Sequence, residues 1–394
     1  MFTTPVYLDN NATTATDPRV VECMLPYFTK FFGNPASRHH AFGWEAAEAV
    51  DIARMQIAHT IGAEQKEIIF TSGATESNNL AIKGVFEMYA HKGQHIITCC
   101  TEHKAVLDTC KSVEKKGGTV TYLPVKTDGL VDLNDLEKAI QPTTILIAIM
   151  YANNETGVIQ PIAEIGEIAK KHGILFFCDG AQAVGKIPVN VMNDHIDLLS
   201  FTAHKINGPK GIGALFVRRK NPRVTLAEQI NGGGHERGIR SGTLNVPGIV
   251  GFEKALELYR FEMKENTQRI TYLKNKLETG ICKIPGTRIN GHIQHRLPNT
   301  TNIQFDDIKG ERLMTALIQD MAISAGAACT SASPGPSHVL TAMGLSDEEA
   351  HASLRFSLGK FTTEEEIDFA ISRITEETQK LRMGLGKNVA GIQY

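Results

Sequence analysis

Between residues 44 and 217 the chain keeps returning to one pattern: a short, nearly unbroken apolar run, a stretch of helical period, then another such run. The runs fall at 67–70, 95–98, 119–124, 145–151, 174–178, 198–201 and 213–217, and helical periods include 44–61 and 162–172, the latter stopped by Gly173. Alternating strands and helices of these lengths read as βαβ units. Most of the runs lack apolar/polar alternation, as expected where helices cover both faces of a sheet. The pattern changes near Gly251, where a long charged amphipathic stretch, 252–278, leads into scattered strands and a final helix at 363–382. A large α/β domain followed by a smaller α+β domain is therefore predicted. The tail, 383–394, is weakly patterned and is expected to be loosely ordered.

Composition narrows the function classes. The formal net charge is −2, with 41 basic residues scattered among 43 acidic ones, so no basic stripe suited to nucleic acid is present. The most apolar stretch, 145–152, is far shorter than the roughly 20 residues a membrane span needs. The start, Met1 to Asp9, lacks the basic segment and apolar core of a secretory leader. Seven cysteines without a C-x-x-C pair argue against a disulfide framework, and a reducing cytoplasm is the expected compartment.

Five segments carry side chains capable of chemistry. Ser200-Phe201-Thr202-Ala203-His204-Lys205 ends a strand with a hydroxyl, an imidazole and an amine, where the ligand crevice of an open α/β sheet lies. Lys205 is there either a solvated loop lysine or a desolvated amine able to form an imine with an aldehyde cofactor. Asp179, in Cys178-Asp179-Gly180-Ala181-Gln182, serves as a helix N-cap or as the partner of a pyridinium nitrogen. Thr71-Ser72-Gly73-Ala74-Thr75-Glu76-Ser77 joins a strand to a helix; such a turn caps the helix or cradles a phosphate. No nucleotide loop exists, and Arg237 stands where the third glycine of a dinucleotide fingerprint beginning at Gly232 belongs. His103 follows the 95–98 run as a loop histidine or as a ring that stacks on a cofactor and shuttles protons. Cys329 lies between small residues and Pro334-Gly335-Pro336, in a loop able to move without unpacking a core. The other cysteines, 23, 99, 100, 110, 178 and 282, fall within predicted elements and read as small buried hydrophobes.

Taken together, these segments resemble the pyridoxal-phosphate cysteine desulfurases of the NifS/IscS-like group, within the class V aminotransferases of PLP fold type I. The resemblance runs from Tyr7-Leu8-Asp9-Asn10-Asn11-Ala12-Thr13-Thr14 through Gly33-Asn34-Pro35-Ala36-Ser37-Arg38 to Leu354-Arg355-Phe356-Ser357-Leu358-Gly359. It implies a large cofactor-binding domain over 1–250, with a mixed, mainly parallel sheet flanked by helices, and a smaller α+β domain over 251–394 that carries the cysteine loop. The N-terminal segment is expected to join either. It further implies pyridoxal 5'-phosphate on Lys205, with Ala74, Thr75, Thr202 and His204 at the phosphate. Asp179 would meet the ring nitrogen, Gln182 the ring hydroxyl and His103 the ring face. Asn154 and Arg355 would hold the substrate carboxylate, the arginine by a bidentate pair. The loop 232–243 resembles the segment that crosses a homodimer, where Thr243 would touch the partner's phosphate.

The implied reaction converts L-cysteine to L-alanine and leaves a persulfide on Cys329. The sulfur then passes to an acceptor protein, such as an iron–sulfur scaffold or a tRNA-thiolation partner. No metal site is expected, apart from Cys329 as an iron–sulfur ligand during transfer. Attack needs a thiolate, so a cation, with His103 the candidate, is expected to lower the Cys329 pKa from about 8.5. Small departures are Ala327 where serine is common and Thr202 in place of serine at a phosphate position, and the tail does not match the docking tail of the scaffold-feeding members. Other readings are a selenocysteine lyase, another class V aminotransferase, or a non-catalytic scaffold that docks partners.

Overall fold

The computed structural model describes residues 2–325 and 335–390. The strands, in chain order, are β1 (Val6–Tyr7), β2 (Ile68–Thr71), β3 (His95–Cys99), β4 (Thr119–Leu123), β5 (Thr144–Ala148), β6 (Leu175–Asp179), β7 (Leu198–Thr202), β8 (Gly213–Val217), β9 (Thr287–Asn290), β10 (Thr300–Phe305), β11 (Met321–Ala322), β12 (Ser324–Ala325) and β13 (Ser353–Ser357). The apolar runs of the first half assemble into one seven-stranded sheet of order β2-β8-β7-β6-β5-β3-β4. Only β8 runs against its neighbours; the other pairs are parallel.

The missing alternation in these runs has a direct cause. Every residue of β2, β3, β5, β6, β7 and β8 is buried, whereas β4, at the edge, is largely open. Successive side chains still point to opposite faces. Ile97, Cys99, Ile147, Phe176 and Phe201 join one apolar core, while Ile96, Leu146, Ala148, Phe177 and Leu198 join the other. Helices Ala41–Thr60, Ala74–Met88, Lys104–Glu114 and Ile162–His172 supply the layers, the last ending at Gly173 with a left-handed φ of 67°.

A second sheet, of order β12-β13-β10-β9, has its own core of Leu273, Leu277, Ile303, Phe305, Leu354, Phe356 and Ile374. One helix, Val246–Ile281, belongs to both cores: Phe252, Ala255 and Leu256 pack in the first, and Ile270, Leu273 and Leu277 in the third. It starts before the predicted 252 because Asn245 caps it, accepting from Gly248 N at 3.1 Å, with a proline in the first turn. The N-terminal strand β1 pairs with β11, and residues 8–17 then run back between the two sheets. Along this path Asn10 N donates to Ser357 O, Thr14 N to His204 O and Asp17 N to Asn207 O.

Two expectations are corrected. Residues 383–390, expected to be loose, continue helix Glu364–Ala390; just before them Lys380 pairs with Glu376 and Glu377 one turn away. Cys282 is exposed, because it caps the helix after its last buried residue, Ile281, and Cys23 and Cys100 are only half-buried.

The 232–243 loop is anchored at several points, the most buried of them at Glu236. Arg54 grips Glu236 with two bonds of 2.6 Å, both side chains almost wholly buried, and Glu236 Oε2 also accepts from Phe70 N at 2.8 Å. The grip holds Glu236 and Arg237 at left-handed φ values of 49° and 60°, which non-glycine residues rarely adopt. Arg54→Met leaves the Glu236 carboxylate buried without its cation, and a loss of about 3–5 kcal/mol is expected. It should be read as a lowered urea midpoint; an unchanged midpoint would remove the pair from any structural role.

Candidate active site

The carboxyl ends of the parallel strands open into a cleft of about 570 Å³. Its walls come from segments far apart in sequence: Asn11–Thr13, Ser72–Glu76, His103, Asn154, Asp179–Gln182, Thr202–Lys205 and Arg355. At one end helix Ala74–Met88 begins, with Gly73 as its N-cap, so its first-turn N–H groups and positive dipole end favour an anion. Ser72 N donates to Glu76 Oε2 at 2.8 Å, and Arg240 binds the same carboxylate at 2.8 Å. The turn sits tightly on β8: a Cβ on Gly213 would fall 2.7 Å from Gly73 Cα. Thr202 and His204 line this end as well, and Lys210 adds a cation. Thr202 Oγ1 donates to Ile212 O at 3.0 Å, so it must rotate before it donates to a phosphate.

Asp179 caps the turn that follows β6 and also lines the cleft. Its Oδ1 accepts from Ala181 N at 2.9 Å, as a turn cap, and its Oδ2 accepts from Asn78 Nδ2 at 2.7 Å while the side chain lines the cleft. Lys205 stands at the end of β7 on a short 3-10 turn, Ala203–Lys205. Its Nζ donates to the backbone carbonyls of Asn11 and of Ala12, the latter at 2.7 Å. Gln182 Nε2 donates to the same Asn11 carbonyl at 3.1 Å.

His103 caps helix Lys104–Glu114, its Nδ1 accepting from Ala105 N at 3.1 Å. That bond places the ring proton on Nε2. Desolvation is the largest influence on His103 and lowers its pKa, with the Asp179 charge opposing. Next to it Glu102 is fully buried, with Met150 N donating to its Oε1 at 2.6 Å, and burial pushes its carboxyl well above the usual range.

On the opposite wall Arg355, in the middle of the second sheet, donates to Asn154 O at 3.0 Å and to Asp9 Oδ1 at 2.6 Å. Asn154 lies in a turn built by Asn153, whose Oδ1 accepts from Glu155 N and Thr156 N. The structure thus brings together Ala74, Thr75, His103, Asn154, Asp179, Gln182, Thr202, His204, Lys205 and Arg355. Thr243 is exposed and outside this chain's own cleft. Cys329 lies outside the described residues. Sequence reasoning missed Asn11, Asn78, Glu102 and Lys186; the Asn10-Asn11 pair in the N-terminal motif was the one available signal.

An anion-binding helix end, a carboxylate at mid-depth, an imidazole and a lysine suit a flat aldehyde that carries a phosphate, as pyridoxal phosphate does. Asn78 Oδ1 beside Asp179 is buried without a hydrogen-bond partner among the described residues, which leaves polar capacity at the place where a ring nitrogen would meet Asp179. Among the described residues no group of three or more His, Cys, Asp or Glu side chains could hold a metal ion.

Comparisons with known proteins agree with this geometry. Residues 6–369 match the family model described as aminotransferase class-V. A protein of Photorhabdus laumondii named cysteine desulfurase IscS is 56% identical over 380 residues, covering 96% of this chain and 94% of the relative. Another of that name, from Anaeromyxobacter sp. strain K, is 54% identical over 379 residues, covering 96% and 93%. Among solved structures, a NifS-like protein superposes with a TM-score of 0.89 at 40% identity, covering 95% of this chain and 99% of that one. A structure titled SspA in complex with cysteine gives 0.81 at 39%, covering 91% and 100%.

The phosphate end makes one electrostatic prediction. Burial, followed by the charges of Lys205, Lys210 and Lys186, holds the His204 imidazole down to about 4. An NMR titration should place its midpoint there rather than near the ordinary value of about 6.5. Lys205→Ala removes one repelling charge and should raise the midpoint. A wild-type midpoint at or above 6 contradicts the placement.

Proposed function

Because the chain belongs to the class V aminotransferases, and within them to the cysteine desulfurases, we propose that it takes sulfur from L-cysteine with Lys205 holding pyridoxal phosphate and Cys329 receiving the sulfur. The observation that carries this reading is the convergence of Lys205, Asp179, Gln182 and the Ser72–Glu76 turn on one cleft whose far wall holds Arg355.

When bound, pyridoxal phosphate supplies an electron sink that acidifies the amino acid Cα–H bond and loosens the bond from Cβ to sulfur. The residues divide the remaining work. The first turn of Ala74–Met88, with Thr202 and His204, takes the phosphate. Asp179, steadied by Asn78 and Ala181, offers its carboxylate to the ring nitrogen and keeps that nitrogen protonated. Gln182 donates to the ring hydroxyl from Nε2. His103 would cover the ring face and present Nε2, since its Nδ1 is engaged by Ala105 N. Arg355 takes the substrate carboxylate in competition with Asp9, and Asn154 fixes its orientation. Lys205, the amine that would hold the cofactor, would take up and return protons at the carbon framework of the substrate.

The sulfur step balances without an added oxidant. The Cys329 thiolate attacks the substrate sulfur, an S–S bond forms and the Cβ–S bond breaks. The bonding pair stays with the carbon, which is protonated to the methyl group of alanine. Ser324 and Ala325 pair with Arg355 and Leu354, beside the substrate arginine. Downstream, Ser337 Oγ bonds Glu155 Oε2 at 2.5 Å and His338 Nε2 meets Glu102 O at 3.0 Å, next to Asn154 and His103. Both described ends of the Cys329 segment therefore sit at the cleft. An acceptor protein's thiolate then takes the outer sulfur.

A homodimer completes the reading. Phe28, Phe32, Phe42 and Trp44 are each more than half exposed near the N-terminus, Phe32 and Phe42 with ring centroids 5.4 Å apart, which suits a covered face. Thr243 would reach the partner's phosphate from the loop that Arg54 anchors.

The test is to incubate the protein with L-cysteine, follow alanine and sulfide, and locate the added sulfur by mass spectrometry. The persulfide is expected on Cys329, and Cys329→Ser should lower alanine formation by about a hundredfold or more while the visible cofactor band persists. A persulfide on Cys99 or Cys100 would sink the assignment. Arg355→Lys, which loses the planar fork, should raise KM about tenfold with a smaller effect on kcat.

A further inference from the structure

Lys186 is a buried lysine to which no reaction step above gives a task. It is 7% exposed and lies four residues after Gln182 in the run of turns that follows β6. Lys186 Nζ donates to Gln182 Oε1 at 2.7 Å and to Asn11 Oδ1 at 3.1 Å. Gly185, at a left-handed φ of 85°, lets the turn press against the segment that carries Lys205: a Cβ there would fall 2.8 Å from Ile206 Cγ2. Lys186 forms no ion pair among the described residues, and the charges that act on it include the cations Lys205 and Arg355.

A buried ammonium without a counter-ion is costly, so a lysine at such a place needs a reason beyond filling space. Methionine would fill nearly the same volume with no desolvation penalty. What methionine cannot do is donate. A glutamine amide has two ends of similar shape, and only its partners decide which end faces a ligand. With Oε1 engaged by Lys186, the donating Nε2 is the end that remains. One of its hydrogens goes to the Asn11 carbonyl, the same oxygen that accepts from Lys205, and the second is left for the cleft that Gln182 lines.

We propose that Lys186 is a positioning residue that fixes the Gln182 amide with its nitrogen toward the cofactor's ring oxygen, acting through the Lys186, Gln182 and Asn11 bonds. Burial, with the Lys205 and Arg355 charges adding to it, lowers the Lys186 pKa well below the ordinary lysine range. The bonds to Gln182 Oε1 and Asn11 Oδ1 need only two N–H hydrogens, which a lysine supplies in either protonation state. The inference rests on the cofactor reading given above.

The experiment uses full-length protein loaded with pyridoxal phosphate. The pH at which its visible absorbance titrates is compared among wild type, Lys186→Met, Gln182→Met and the double variant. An N–H donor at the ring oxygen favours the oxygen anion and holds this midpoint down. Lys186→Met should therefore raise it by about 0.5 pH unit or more, with kcat lower by about tenfold and KM little changed. The double variant should match Gln182→Met alone, because the two residues act as one. An unshifted Lys186→Met, or shifts that add in the double variant, overturns the proposal. Lys186→Leu is the second apolar variant, and if neither folds the residue is structural only and the proposal falls. Wild type without a visible band would instead sink the cofactor reading, an outcome distinct from these.

Discussion

Asn11 is the tie on which the cleft depends. Its main-chain N donates to Ser357 Oγ and its Nδ2 to Thr300 Oγ1, both in the second sheet. Its carbonyl accepts from Lys205 and Gln182, and its Oδ1 from Lys186, all in segments that follow strands of the first. These partners lie 171 to 346 residues away in sequence. A polar side chain buried at such a junction must satisfy its donors and acceptors there or cost about 1–3 kcal/mol for each that fails. The arrangement is therefore specific: the amine at 205 and the guanidinium at 355 are held relative to each other through one asparagine and the strand ends around it.

The two sides of the cleft differ in kind. Residues from the first sheet stand on strand ends and helix starts, where the backbone itself supplies field and donors: the helix at Ala74 for an anion, the turn after Asp179 for a carboxylate. The second sheet contributes a side chain from the middle of a fully buried strand, Arg355 in β13. The cleft thus takes groups from the edge of one layer and from the interior of another. Desolvation lowers the pKa of both cleft histidines, His103 and His204.

Much of this was legible in the chain alone, for identifiable reasons. Lys205 and Asp179 follow apolar runs, so strand-end logic locates them without any partner being known. The runs also gave the strands to within a few residues, since burial on both faces leaves an unbroken apolar signature. Direction is not in that signature, so nothing local marks β8 as antiparallel. Asn78, Asn11, Glu102 and Lys186 escaped because their meaning resides in hydrogen bonds to distant residues; the Asn78 to Asp179 bond spans 101 positions. Cys282 was misplaced because periodicity does not show where a helix stops covering a core. Helix Glu364–Ala390 outlasts its apolar pattern because charge pairs one turn apart support its surface near the end.

The long helix Val246–Ile281 carries a mechanical consequence. Its two ends are embedded in different cores, yet residues 260–269, between them, include no buried side chain until its close and neither glycine nor proline. Such a segment behaves as an elastic rod, with no discrete joint. Thermal rocking of one layer against the other is then met by a restoring force that grows with displacement, so the jaws of the cleft return to the same spacing after each excursion.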